Sequence, residues 1–430
     1  MKPTAIKHLT ISLTKQLVVI CLLLATGCVS SPQATKTDST SYAFWPPYPD
    51  EPHIQFLTSY SKASDVVATK SGLDELIYGK EVQLDLPINK PYGIAMYDGK
   101  IYICDLRNDC VVILDLRNKQ TLAMGSKGAQ KLQSPSDIAI SADGYKYVAD
   151  VGKGTIVVFD PQERFVTSLG PKNFKPTGVA LYNDELYVSD FISQTVLVMD
   201  RHNGTIIRTI GSPGSEPGQF VKPLGIDVDK DGNIFVADVL KCQVYKFKPD
   251  GTYESTFGAI SDRIGGLVRP KQITVDPDGI IYVVDAAFQN VQLFNSEGNL
   301  YTFFGSPGTH PGAMNLPAGI CTYDGDLDLF AQYIHPDFQA KRLILVTNQF
   351  GANKISVYAL GELKPGKTVK DISGSSGIVP SGVADENTAT AKGARSLPEG
   401  ATEPDLPLPP GLRAPTKQPT DATAPATEQP

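Results

Sequence analysis

The middle of the chain repeats one pattern of apolar and polar positions six times. Each unit opens with a proline that is followed shortly by isoleucine or valine, at Pro91, Pro135, Pro176, Pro223, Pro270 and Pro317. The separations are 44, 41, 47, 47 and 47 residues. A β-rich run then ends in a polar residue, at Asp105, Asp150, Asp190, Asp238, Asp285 and, in the sixth copy, Asn348. A fixed period of this length predicts a repeat architecture with one supersecondary unit per copy.

Each repeat has room for three or four short strands joined by turn residues, and none for a crossover helix. This excludes a parallel α/β sheet and favours antiparallel meanders. Several strands are apolar at successive positions, as in VVIL (111–114) and IYVV (281–284), so both of their faces must be covered. Sheets stacked face to face around an axis satisfy this requirement. The pattern therefore predicts an all-β fold, a six-bladed β-propeller with one repeat per blade.

The segments that flank the repeats predict how the ring closes. The sixth unit lacks an outer strand before the chain turns polar, while residues 53–60 (HIQFLTSY) are an orphan β-like run ahead of the first unit. Pairing the two would complete the last blade and remove a sheet edge. Residues 71–79 contain a capping box and an apolar face, which predict one short helix. We therefore expect a closing strand and a short helix over residues 45–85, and the propeller over residues 86–360.

The repeat reads P-x-G-I-A, then I-Y-V-A-D, then V-x-V-F-D, then glycine, and in this it resembles the NHL repeat over about residues 86–360. The order of Trp45-Pro46-Pro47, a strand, a short helix and the opening at residues 91–95 is similar to that of bacterial envelope lipoproteins. Those lipoproteins are built on a six-bladed NHL-type propeller. The resemblance implies the same fold and the same cellular compartment for this chain.

The first residues predict export and lipid attachment. A basic leader precedes an apolar run at residues 17–25, which is too short to span a membrane and continues to LLATGC. Residues 25–28 resemble the bacterial lipobox, with Leu24 one place early. This predicts a lipoprotein signal peptide over residues 1–27 and a lipid on Cys28, whereas ordinary cleavage would leave Cys28 an incidental thiol. Residues 28–44 are polar and predict a flexible tether.

Charge and position predict where the mature chain resides. Val29, not aspartate, follows Cys28, which by resemblance to the enterobacterial sorting rule indicates the outer membrane, with the leaflet left open. The formal charge of −7 becomes −10 once residues 1–27, with three lysines and no acid, are removed. An acidic body argues against phosphate-backbone binding, so no nucleic-acid partner is expected. It would be held on a membrane by acyl chains and not by a basic patch.

The end of the chain has a different composition from the repeats. Residues 361–430 contain eleven prolines and no aromatic residue. Such a segment cannot bury enough apolar area to order itself, which predicts a disordered tail. The run LPLPP would suit a polyproline-type ligand, but a solvated spacer is the favoured interpretation.

Acidic motifs in the repeats resemble metal-binding loops but are explained by turns. Residues 227–238 (DVDKDGNIFVAD) match the opening of an EF-hand loop, yet no helix flanks them, and the fifth unit repeats the pattern as DPDGIIYVVD. A turn between two strands is favoured. The strand-end aspartates suit side chains that accept hydrogen bonds from nearby backbone N–H groups. Five scattered histidines argue against a histidine-based zinc site, and neither a metal nor a cofactor is expected.

Four cysteines lie within the repeats. Cys104 and Cys110 flank one hairpin loop, where they would form a disulfide or remain as two buried free thiols. Cys321 aligns with alanines of other repeats, which predicts a small core position. Cys242 lies in a loop, with no evident partner in the sequence.

The sixth unit contains a surplus of about 16 residues near residues 331–342, since 63 residues separate Asp285 from Asn348. Extra residues in one repeat map to a loop on one face. This predicts a partner-binding loop, and a neutral insertion is the equally weighted alternative. The candidate contact residues are Tyr333, His335, Phe338, Lys341 and Arg342.

These features favour a lipid-anchored envelope propeller that acts as a non-catalytic platform for an unidentified envelope protein. The sequence contains no Gly-x-Ser-x-Gly elbow, Walker loop, CxxCH site or HExxH motif. The alternative is a propeller enzyme of the lactonase, lyase or quinoprotein type, with a metal or cofactor at the central channel. Fold alone does not decide between the two.

Overall fold

The computed structural model describes residues 42–66, 87–128 and 130–373. Six antiparallel sheets are arranged as blades around one axis, because the innermost strand of each blade contacts the innermost strands of its two neighbours. This is the six-bladed propeller that the repeat predicts. The signal peptide, Cys28, the predicted helix at 71–79 and nearly all of the tail lie outside the described residues.

The strands follow the repeats in order. Two precede the first repeat, β1 (Ala43–Trp45) and β2 (Ile54–Tyr60). Blade 1 contains β3 (Pro91–Tyr97), β4 (Lys100–Asp105), β5 (Cys110–Asp115) and β6 (Gln120–Met124). Blade 2 contains β7 (Pro135–Ile140), β8 (Lys146–Asp150), β9 (Thr155–Phe159) and β10 (Phe165–Leu169). Blade 3 contains β11 (Pro176–Tyr182), β12 (Glu185–Asp190), β13 (Thr195–Asp200) and β14 (Ile206–Ile210).

The remaining blades continue the pattern. A short parallel pair, β15 (Ser212–Pro213) and β16 (Gln219–Phe220), lies in the loop before blade 4. Blade 4 contains β17 (Pro223–Val228), β18 (Ile234–Asp238), β19 (Gln243–Phe247) and β20 (Tyr253–Phe257). Blade 5 contains β21 (Pro270–Val275), β22 (Ile281–Asp285), β23 (Asn290–Phe294) and β24 (Leu300–Phe304). Blade 6 contains β25 (Pro317–Tyr323), β26 (Phe338–Asn348) and β27 (Ile355–Leu363).

Blade 6 is completed by the N-terminal segment. Its strand order is β1-β2-β27-β26-β25, with β2 antiparallel to β27, so that Ile54 lies opposite Leu360 and Tyr60 opposite Ile355. The predicted closing strand is therefore confirmed. The helices among the described residues are short: two 3-10 turns and one α-helix, α1, at Ala63–Asp65, Leu327–Tyr333 and Val369–Ser373.

The core lies between neighbouring blades. In five blades the second strand places an aromatic side chain three residues before its terminal aspartate, and none of these side chains is more than 2% exposed: Tyr102, Tyr147, Tyr187, Phe235 and Tyr282. Burying one side chain of this size contributes about 1.5–3 kcal/mol, so the contacts between blades stabilise the ring at every junction.

Strand pairing gives the ring two distinct faces. In each blade the proline that starts the inner strand lies opposite the residue that ends the second strand, as Pro91 does opposite Asp105. The loops that enter the inner strands and those that join the second and third strands therefore share one end, the mouth face. The turns between first and second strands and between third and fourth strands form the opposite turn face. No helix within the described residues is long and apolar enough to cross a membrane.

Candidate functional site at the channel mouth

A hydrogen bond crosses the propeller axis. The second residue after the opening proline is glycine in four blades, but Asp137 in blade 2 and Gln272 in blade 5. These blades lie opposite each other in the ring, and Gln272 Nε2 donates to Asp137 Oδ2 at 2.7 Å. A Cβ on Gly225 would clash with Gln272 Oε1, so glycine there leaves room for the crossing pair. The channel is therefore braced from side to side.

Asp137 is a buried carboxyl group. It is 3% exposed, and its Oδ2 also accepts a hydrogen bond from the Val179 backbone N–H at 2.9 Å. Burial raises the pKa of Asp137 to about 7, although the hydrogen bonds from Val179 and Gln272 act in the opposite direction. The carboxyl thus titrates near neutral pH, far above an exposed aspartate.

A second carboxyl shares the channel. Asp227 Oδ2 accepts hydrogen bonds from the Val275 backbone N–H at 2.8 Å and from Thr274 Oγ1 at 3.0 Å. Burial raises the pKa of Asp227 to about 6. Both carboxyl groups have partners on neighbouring or opposite blades, so they tie inner strands to one another.

Cys321 lies at the same repeat position as Asp227. As the sequence predicts, it shares that position with small residues, namely Ala95, Ala139 and Ala180. Burial raises the pKa of the Cys321 thiol well above its usual range, which keeps the sulfur protonated and unreactive.

The strand-end aspartates fix the loops of the mouth face. Asp105 accepts hydrogen bonds from the backbone N–H groups of Asn89 and Lys90 in one loop, and of Arg107 and Asn108 in the next. Equivalent bonds are made by Asp150, Asp190, Asp238 and Asp285. The predicted role of these side chains is confirmed. The mouth loops are consequently held by the core of each blade.

Cations surround the mouth at one repeat position. The residue directly before the opening proline is basic in four blades, and we call this set the mouth ring: Lys90, Lys175, Lys222 and Arg269. Lys222 Nζ lies 5.2 Å from the ring centre of Phe191 in the neighbouring blade. One residue inside the proline, Lys271 Nζ lies 5.7 Å from the ring centre of Tyr92. The Lys/Arg-Pro pairs can be found in the sequence, but only the arrangement of the blades around one axis shows that these cations lie together at the mouth.

The acidic motif at residues 227–238 forms a turn. Asp229 Oδ1 accepts hydrogen bonds from the backbone N–H groups of Asp231 and Asn233, and Gly232 N–H donates to the Asp229 carbonyl. This confirms the turn interpretation. No group of three or more His, Cys, Asp or Glu side chains suited to a metal occurs among the described residues.

Of the two states that the sequence left open for Cys104 and Cys110, a disulfide or two free thiols, the structure has the free thiols. In the register of β4 and β5, Cys104 lies opposite Val111 and Cys110 opposite Asp105. Adjacent positions point to opposite faces of a sheet, so the two thiols enter different cores on either side of blade 1. Both are free and buried, which is the alternative that the sequence left open.

The segment at residues 331–342 packs largely against the closing strands. Gln55 Nε2 donates to the Tyr333 carbonyl, and Gln55 Oε1 accepts from the His335 N–H. The His335 ring lies 4.7 Å from Tyr42, between ring centres, and the buried Phe338 lies 5.6 Å from Phe44.

The last two residues of that segment differ from each other. Arg342 is buried and pairs with Asp276 at 2.5 Å, with Asp278 at 3.1 Å and with Asp324. Lys341 is exposed and pairs with Glu362 at 3.0 Å. With His335, Phe338 and Arg342 buried, a partner contact through this segment stays a prediction that only Tyr333 and Lys341 are placed to make.

Comparison with known proteins agrees with the fold. A family model described as a 6-bladed beta-propeller (DUF5128) matches residues 174–260, which include blades 3 and 4. A structural genomics protein of unknown function from Bacteroides thetaiotaomicron VPI-5482 is 18% identical, with a TM-score of 0.50 over 71% of this chain and 75% of that chain.

Two solved lyases also resemble the chain. A streptogramin B lyase is 15% identical, with a TM-score of 0.45 over 65% of this chain and 86% of the lyase. The virginiamycin B lyase from Staphylococcus aureus is 14% identical, with a TM-score of 0.45 over 63% and 95%. Similarity at this level concerns the propeller fold, and it transfers no activity to this chain.

Proposed function

We propose that this chain is a lipid-anchored, NHL-type propeller of the bacterial outer membrane that acts as a non-catalytic platform for another envelope protein. The repeat pattern supports the NHL assignment. The lipobox-like ending at Cys28 and the valine that follows it support the anchor and its membrane.

Exposed apolar side chains on the mouth face carry the proposal. Ile192, Leu240 and Phe350 are 51%, 63% and 53% exposed, and each is the second residue of the loop between the second and third strands of its blade. Large apolar side chains that project from neighbouring loops favour a protein-binding surface. The hydrogen bonds of Asp190, Asp238 and, in blade 6, Asn348 hold these loops in place, so the surface is preorganised for a partner.

The channel supports a scaffold role over a catalytic one. Asp137 and Asp227 are already hydrogen-bonded to protein groups, and the pair of Asp137 and Gln272 crosses the axis where a substrate of a channel enzyme would lie. These polar groups connect blades to each other. They are thus used in holding the ring together.

Crosslinking in intact cells tests the platform. Replacing Leu240 by the photoreactive p-benzoylphenylalanine should yield a reproducible crosslinked envelope protein. The same replacement at Leu300, which is 39% exposed on the outer strand β24, is the matched control and should yield none. Equal crosslinking from both sites, or none from Leu240, contradicts the proposal. So does stoichiometric calcium or zinc in the purified protein together with lactonase or lyase turnover.

The anchor has its own test. Cys28→Ala removes the sulfur that would accept the lipid, so the variant should lose membrane association, because retention of an acidic body needs acyl chains. Fractionation of cells and mass spectrometry of the mature N-terminus provide the readout. If the variant sediments with membranes as fully as the original chain, and neither carries lipid, the lipoprotein assignment fails.

A further inference from the structure

Charge is segregated between the two faces of the propeller. Counted outside the strands and over the described residues alone, the mouth-face loops contain thirteen Lys and Arg against four Asp and Glu. The turns of the opposite face contain six Lys and Arg against fifteen Asp and Glu. The strand-end aspartates beneath the mouth loops are buried and bonded to backbone N–H groups. An acidic protein thus presents one basic face, which its net charge conceals.

The mouth ring is the centre of that face. Among the residues that the structure describes, no carboxylate lies within ion-pair distance of the ammonium groups of Lys90, Lys175 or Lys222. On the turn face, by contrast, Arg164 pairs with Asp160 at 2.7 Å and Arg201 pairs with Asp184 at 2.9 Å. The lysines of the mouth ring therefore remain available to anionic groups of a ligand.

Apolar and cationic groups occur together on this face. Ile192 and Leu240 project from the loops of blades 3 and 4, the two blades whose inner strands are preceded by Lys175 and Lys222. The mouth ring directly precedes the opening prolines and Lys271 directly follows one of them, so cations occur at two successive levels of the inner strands.

The residue types also discriminate between anions. Nucleic-acid strands are bound through aromatic platforms on which bases stack, in addition to cations. The aromatic rings of Phe191 and Tyr92 at the mouth already lie against Lys222 and Lys271. Of the three exposed loop tips only Phe350 is aromatic, while Ile192 and Leu240 are aliphatic. Carboxylates beside aliphatic side chains match this surface better than bases do.

We infer that the mouth face binds an acidic polypeptide segment of the partner protein, with its carboxylates on the mouth ring and its apolar side chains against Ile192 and Leu240. This rests on the proposed function, which it deepens by naming the chemistry of the partner. The contact is electrostatic at its centre and apolar at its edge.

Binding of synthetic polypeptides tests the inference. Fluorescein-labelled poly-L-glutamate and a random glutamate–leucine copolymer should both bind the mature chain by fluorescence anisotropy, with affinity that falls as salt rises. The triple variant Lys90→Glu, Lys175→Glu, Lys222→Glu should weaken the binding of both polymers by about tenfold or more. The control Lys119→Glu, Lys230→Glu, Lys248→Glu changes exposed lysines of the turn face by the same total charge, and should change affinity less than about threefold. Leu240→Ser should weaken the binding of the glutamate–leucine copolymer and leave that of poly-L-glutamate unchanged.

Several results would overturn the inference. One is an equal loss of polymer affinity in both triple variants, and another is that neither polymer binds. The third is that single-stranded DNA or phosphatidylglycerol vesicles bind more tightly than the polymers, and that the triple variant of Lys90, Lys175 and Lys222 abolishes this binding. Circular dichroism checks that each variant folds. If the triple variant does not fold, Lys175→Glu alone takes its place, with an expected few-fold loss of polymer affinity. If the crosslink from Leu240 persists in the mouth triple, the platform stands and only the acidic chemistry fails. If no crosslink forms at all, the platform itself fails.

Discussion

Deletion of residues 53–60 is expected to prevent formation of a stable, soluble propeller. The deletion removes β2, and with it the hydrogen-bonded partner of β27 and buried side chains such as Ile54 and Leu57. Blade 6 would then end in an open edge next to apolar surface, which promotes association between chains. Size-exclusion chromatography and thermal unfolding measure the result. A monomer that melts at the original temperature would show that the ring closes in some other way.

A point substitution gives the same test on a finer scale. Ile54→Ala should lower the free energy of unfolding by roughly 2–5 kcal/mol, because Ile54 is fully buried against blades 5 and 6. Thr58→Ala, a partly exposed position on the same strand, should change it by less than about 1 kcal/mol. Urea unfolding curves of the two variants compare them directly, and equal effects would argue against the closing role of β2.

Replacing Asp137 by asparagine is expected to change how stability depends on pH. The folded-state pKa of about 7 lies above the unfolded value near 4, so the folded state binds the extra proton between these limits. The original chain therefore loses stability from this group as the pH rises from 4 to 7, and the full penalty of ionisation is present above pH 7. Asparagine cannot ionise, so Asp137→Asn should gain stability relative to the original chain by up to about 4 kcal/mol across that range.

Urea unfolding at pH 5, 6, 7 and 8 measures this difference. Asp143→Asn is the control, since hydrogen bonds from Ser141 and Arg201 lower the pKa of Asp143, and its titration falls below the range measured. Asp227→Asn should show a smaller effect in the same direction, because the pKa of Asp227 is about 6. A difference between Asp137→Asn and the original chain that stays constant from pH 5 to pH 8 would contradict the burial of an ionisable group at the axis.

The features that repeat along the chain could be predicted from it. Six copies of one pattern define the number of blades, and the missing outer strand of the sixth copy predicts the pairing of β2 with β27. The turn at Asp229 and the bonding of the strand-end aspartates follow from the same logic. In each case the contacts that form the feature are local or recur at a constant spacing in the sequence. A contact inferred for one repeat can therefore be inferred for the others.

Contacts across the ring could not be predicted in this way. Asp137 and Gln272 occupy equivalent positions in two repeats, and only the arrangement of blades 2 and 5 on opposite sides of the axis brings them together. The sequence could not decide between a disulfide and two free thiols for Cys104 and Cys110, because the register of β4 and β5 determines which face each thiol occupies. The segment at 331–342 was judged by its length, whereas its packing depends on the N-terminal strands that it meets.

The mouth ring illustrates a third kind of limit. Its lysines precede proline in the sequence, and their spacing was available from the start. Net charge, however, averages over both faces, so the acidic total argued against phosphate-backbone binding without showing that one face is basic. Net charge does not report where the charged residues lie, and in this propeller the basic and acidic loops lie on opposite faces.

The pairing of β2 with β27 also determines the order in which the protein folds. The first five blades are each made from consecutive residues, so they can form as the chain emerges from synthesis or export. Blade 6 needs residues 54–60 and 355–363 together, and so it must wait for almost the whole of the described chain. Until then β2 is paired with β1 alone, and a product truncated before residue 355 leaves the other edge of β2 open. Incomplete chains thus differ from finished ones in a feature that chaperones and proteases can recognise.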